Sequence, residues 1–158
     1  MELDSKKAFL VNLDMLLEET FEQVHGYYLD KNTSLLETLA TITAAQASVP
    51  VGGNCATLAA QVKHTTFYLQ VVEGAMRDPK FPHANWGKIW AETHTVTDAE
   101  WKAIVTELAT QYKQVRSFLS NPNSYLESDH YGMAMGVLAH TAYHVGEIRQ
   151  ALCILTDH

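Results

Sequence analysis

The segment "LAHTAYHVGEIRQAL", residues 138–152, sets His140 and His144 one helical turn apart in a run that is otherwise mostly apolar. Histidine is a poor helix former, and burying an imidazole without partners for its ring nitrogens costs free energy. A third histidine, His64, stands in line with Thr57, Ala60, Phe67 and Val71, again a mostly apolar row. One divalent ion would satisfy all three rings through one nitrogen each, at about 2.0–2.1 Å. Ligation also favours neutral imidazole where a cation is expensive. Ordinary core or surface histidines are the competing reading, because an HxxxH spacing arises readily by chance in a chain with eight histidines.

Three protein ligands leave a coordination position for water or substrate, the open arrangement of catalytic sites. An all-imidazole set suits Zn, Ni, Cu or Fe, with zinc and nickel foremost here. Glu147 lies one turn beyond His144 on the same stripe. It is a candidate fourth ligand, orienting acceptor or general base, against a solvated carboxylate paired with a cation. Tyr68 and Tyr143 are candidates to line the site, although both are offset from the histidine rows. Trp86 and Trp90, in "WGKIW", either wall a substrate pocket or plug the end of the fold as core. His130 reads as a cap or loop side chain, and His25, His83, His94 and His158 read as exposed. Cys55 is expected at a helix N-terminus or as a small buried hydrophobe, and Cys153 as core. Neither cysteine has a histidine arrangement that would argue for nucleophilic catalysis.

The elements that must position these residues are helical. Leu10, Leu13, Leu17, Phe21, Val24 and Tyr28 recur every three or four residues, predicting a helix over 4–29 with Asp14, Glu18 and Glu22 toward solvent. Ser34 and Glu37 have capping-box spacing ahead of a shorter helix that "SVPVGG" stops. A second long helix is expected from an N-cap at Asn54 to about Met76, and a third opens at the capping-box pair Thr97 and Glu100. The fourth runs from about Tyr131 to Leu155, with Ala134, Leu138, Val145, Ile148, Leu152 and Leu155 as its core stripe. Four amphipathic helices of this length predict an all-α four-helix bundle. The connection of about twenty residues before the third helix is long enough to cross over, making the second and third helices parallel, but does not require it.

The totals bound the rest. At 158 residues the chain reads as one domain, residues 1–158. A net charge of −7 argues against nucleic-acid and anionic-membrane partners. Two cysteines without a CxxC suit a reducing cytoplasm. The opening residues do not read as a signal peptide, and the uncharged stretch 38–62 is broken by proline and glycine, so no membrane span is expected. Gly136, Ala139, Ala142 and Gly146 form a small uncharged face that a second copy would cover.

The segments "VLAHTAYHVGEIRQALCIL", "GGNCATLAAQVKHTTFYL" and "TDAEWKAIVTEL" together resemble the DinB-like superfamily over nearly the whole chain. The resemblance implies an up-down-down-up bundle with the long crossover, His64, His140 and His144 as metal ligands, and frequent homodimers. It also implies a metal-dependent enzyme, either a transferase or isomerase that uses a low-molecular-weight thiol or a hydrolase. The alternative is a non-catalytic, metal-stapled module associated with stress that binds a partner. Relatives commonly carry glutamine three residues after the last histidine, where this chain has Glu147, and that departure loosens the inference about substrate.

Overall fold

The computed structural model describes residues 2–52, 55–93 and 95–156, and these are all-helical, without a strand. The expected N-cap Asn54, along with His94 and His158, lies outside the described residues. Four long helices dominate: α1 (Glu2–Phe21), α4 (Leu58–Arg77), α6 (Asp98–Leu119) and α7 (Asp129–Thr156). Short helices α2 (Leu35–Leu39), α3 (Ala44–Ala47) and α5 (Trp86–Glu92), with a 3₁₀ turn at Pro122–Ser124, fill the connections.

Local chemistry sets most of the boundaries. The two expected capping boxes both form: Ser34 with Glu37 opens α2, and Thr97 with Glu100 opens α6. A third, Thr43 with Gln46, divides the expected short helix into α2 and α3, because the Thr43 hydroxyl and Gln46 carbonyl each serve the other's backbone N–H. Thr57 caps α4. Cys55 therefore precedes that helix and is exposed, not a buried hydrophobe.

α1 ends at Phe21, eight residues before the predicted end, and the cause is Glu19. This fully buried carboxylate accepts the backbone N–H groups of His25 and Tyr27 on one oxygen (3.0 and 2.9 Å). Its other oxygen accepts those of Tyr28 and Leu29 (2.7 and 2.8 Å). The chain is folded back onto its own helix, turning at Gly26 with φ +87°, a conformation open to glycine at little cost. Burial pushes the Glu19 carboxyl up, but the four donors outweigh it and hold it at about 2.

Helix directions follow from side-chain pairs. Glu73 on α4 accepts from Gln111 on α6 at 2.9 Å, and Gln70 faces Glu107, so α4 and α6 run parallel. Arg116 on α6 binds Asp14 in two-pronged fashion (2.7 and 2.9 Å) and reaches Glu22, while Phe21 stacks on Tyr112, so α1 opposes α6. Asp14, Glu18 and Glu22 thus form a clamp on Arg116 instead of a purely solvated face. His64 and Tyr68 of α4 meet His144 and His140 of α7 in reverse order, so these two helices are antiparallel. Leu17, Phe21, Leu69, Leu108, Val137 and Ile148 are among the side chains that close the core between them.

The crossover is fixed at both ends. A β-carbon added to Gly74 would collide with the Phe81 ring, so that ring lies directly on the α4 backbone. At the far end, Val96 and Ser48 exchange hydrogen bonds of 2.9 and 3.3 Å. No described residue of α5, between these anchors, is buried. None of the described helices is long and apolar enough to cross a membrane.

Candidate metal centre

α4 and α7 bring His64, His140 and His144 together. One ring nitrogen from each lies within 4.8 Å of the others. The Nε2 atoms of His64 and His140 are 3.1 Å apart, close to the roughly 3.4 Å separating two nitrogens that share a tetrahedral ion with 2.0–2.1 Å bonds. His64 and His144 are buried and His140 is half-buried. The 4-residue spacing on α7 points the two imidazoles the same way, and the antiparallel register presents His64 to both.

The chemistry of the donor set fits a metal. The Nδ1 atoms of His64, His140 and His144 are all buried without an aligned hydrogen-bond partner. The nitrogens that converge are the other ones: Nε2 of His64 and Nε2 of His140 face each other, and a ring nitrogen of His144 lies within 4.8 Å of both residues' ligand atoms, as the donors to one ion would. Each ring is also held neutral, as a ligand must be. Desolvation lowers His140 to about 4, with His144 and His64 adding to the effect. Burial lowers His64 as well, followed by the repulsion of His144 and opposed by Glu147. Burial lowers His144, again against the pull of Glu147.

Glu147 lies one turn beyond His144 on α7 and reaches its Nδ1. Its Oε2 lies 2.8 Å from His144 Nδ1, off the line of a well-directed hydrogen bond. Contact at Nδ1 leaves Nε2 as the nitrogen of His144 free for an ion, which is the position of an orienting acceptor. Tyr143 is exposed, with its ring 5.2 Å from His144 and its hydroxyl beside Glu147; that carboxylate pushes the phenol up.

Expected off the histidine rows, Tyr68 in fact stands one turn beyond His64 on the same face of α4 and lies at the centre. Its ring stacks on His140 at 3.6 Å between centroids and 6° between planes. Gly136 makes that possible, since a β-carbon there would sit 3.0 Å from the Tyr68 hydroxyl. Gly136 thus answers to a neighbour inside the fold and not only to an outer face. Trp90 lies against His64 at 4.5 Å, and Trp86 contacts His64 at 5.7 Å and Phe67 at 5.3 Å. The two indoles roof the histidines from α5. Neither is buried core.

The remaining candidates separate from the centre. His130 is buried at the start of α7, its Nδ1 3.0 Å from the Ser124 carbonyl and 3.3 Å from the Leu126 N–H, where it fixes the preceding turn. His25 is exposed beside Glu18. Cys153, expected in the core, is exposed because it falls on the outer side of α7 from Ala151 and Ile148. The feature missed by the sequence reading is the Glu19 carboxylate; its only signal was an acidic residue on the apolar side of α1, adjacent to Leu16, Leu17 and Thr20.

The chain matches no protein-family model, no curated protein and no solved structure.

Proposed function

We propose that this chain is a DinB-like metal protein, an up-down-down-up four-helix bundle in which His64, His140 and His144 hold a divalent transition metal, zinc or nickel. The observation that carries the proposal is the convergence of three imidazoles from two helices, with one ring nitrogen of each within 4.8 Å of the others. The ion would supply Lewis-acid activation of the sulfur of a low-molecular-weight thiol, in a transferase or isomerase, or of water in a hydrolase. The chain's own residues do the rest. Glu147 orients His144, while Trp86, Trp90 and Tyr68 exclude water from one flank and Tyr143 borders the exposed flank. A homodimer formed over the uncharged outer side of α7, in a cytoplasmic protein, completes the reading.

One observation favours a non-catalytic staple joining α4 to α7. Aromatic rings crowd His64 and His140, while a cavity of about 870 Å³ lies elsewhere, between Glu73, Arg77, Lys113 and Phe118.

Elemental analysis of untagged protein is expected to find one equivalent of metal, lost in His144→Ala; retention of a full equivalent by that variant would refute the ligand assignment. Absorption of the cobalt-substituted protein then separates the two readings. A spectrum that changes on adding glutathione supports the thiol enzyme, and an unchanged one supports the staple.

A further inference from the structure

Ligating histidines are ordinarily held by a hydrogen bond from the second ring nitrogen to a carboxylate, carbonyl or water. Here only His144 has such a neighbour, Glu147 at 2.8 Å. His64 and His140 have none, and their Nδ1 atoms are buried without partners. An imidazole without a polar tether is free to turn about its Cβ–Cγ bond, since that torsion is broad. Yet both rings are confined, each by a flat aromatic surface. Tyr68 lies parallel to His140 at 3.6 Å, and Trp90 lies at 30° to His64 at 4.5 Å.

We propose that Tyr68 and Trp90 are positioning residues which fix the planes of His140 and His64 by ring stacking, replacing the hydrogen-bonded acceptors those histidines lack. This rests on the metal reading given above. The Tyr68 ring lies almost squarely over His140 and the Trp90 ring leans over His64, so a turn of either imidazole about its Cβ–Cγ bond would run into the neighbouring ring. The three ligands are therefore unequal. His144 is backed by a carboxylate at Nδ1, whereas His64 and His140 are backed by π faces that constrain direction.

Hydrogen-bonding capacity at Tyr68 and Trp90 is irrelevant on this account and a flat ring is essential. Zinc affinity, measured by competition with a chromophoric chelator, is expected to fall about 10- to 100-fold in Tyr68→Leu and Trp90→Leu, the usual cost of losing a ligand's outer support. Tyr68→Phe and Trp90→Phe are expected to stay within about threefold of the parent, because the face remains. In metal-free protein, the His140 ring protons, seen in long-range ¹H–¹⁵N spectra, should be shifted upfield by the Tyr68 ring. The shift should persist in Tyr68→Phe and vanish with line broadening in Tyr68→Leu. Leucine variants with parental affinity and unchanged His140 signals would overturn the proposal. So would phenylalanine variants as impaired as the leucine ones, which would assign the role to the hydroxyl and indole N–H. A parent chain that takes up no zinc would overturn the metal reading instead, and the metal-free spectra would still decide the stacking.

Discussion

Two buried polar clusters in this molecule are built on opposite principles. Around Glu19, a fully buried carboxylate meets four backbone N–H donors, two on each oxygen, and both oxygens are satisfied by the chain itself. Around His64, His140 and His144, three buried rings have one another and some aromatic neighbours, and three Nδ1 atoms without aligned partners. Unmade hydrogen bonds in a protein interior cost about 1–3 kcal/mol each, so the second cluster detracts from stability where the first adds to it. The first cluster stabilises. The second does not, and what it offers is three converging ring nitrogens that could hold an ion.

Breaking each cluster should therefore have opposite consequences. The largest effect on folding is expected for Glu19→Ala, which frees four donors and the loop they hold. It should cost about 3 kcal/mol or more in urea denaturation and leave metal content at one equivalent. His140→Leu should do the reverse, removing stoichiometric metal while leaving the stability of the metal-free protein within about 1 kcal/mol of the parent or above it, because a desolvated polar ring is exchanged for an apolar side chain. A destabilisation by His140→Leu as large as that of Glu19→Ala would erase the contrast.

Acid sharpens the comparison. The folded Glu19 carboxyl sits at about 2 against 4.5 for an ordinary glutamate, so its stabilising contribution is complete above pH 4.5 and is lost as the pH falls from 4.5 toward 2. The stability gap between the parent and Glu19→Gln should accordingly be constant from pH 7 to 5 and narrow steadily below 4.5. A gap that did not narrow would show that the carboxylate's charge is not what the four donors hold. The smallest expected change in stability is that of Gly136→Ala. Helix propensity gains about 1 kcal/mol, offset by the 3.0 Å approach to the Tyr68 hydroxyl, so net stability should move by less than about 1 kcal/mol. Metal affinity should still drop several-fold as Tyr68 shifts against His140.

Much of this architecture was legible from local signals. The capping pairs Ser34–Glu37 and Thr97–Glu100, the apolar spacings of the four long helices, and the convergence of His64 with His140 and His144 all rest on rules that operate within a few turns of helix. What escaped the sequence lies in pairings between distant residues. Asp14, Glu18 and Glu22 look like a solvated face until Arg116, about a hundred positions away, is folded against them. Tyr68 follows His64 by four residues and so shares its face of α4, a signal within reach of the sequence; what was hidden is that its ring meets His140 across the helix pair and that Gly136 leaves room for its hydroxyl. The early end of α1 was hidden for the same reason, since the periodicity of Val24 and Tyr28 continues while Glu19 draws the backbone away from the helix. Thr43 marked a break that an alanine-rich stretch concealed.

The anchoring of the crossover has a consequence of its own. With Phe81 seated on Gly74 and Val96 tied to Ser48, the stretch carrying Trp86 and Trp90 is suspended like a footbridge between two piers, and cannot swing like a gate on one hinge. Any change of shape there has to be a flexing of the middle with both ends held.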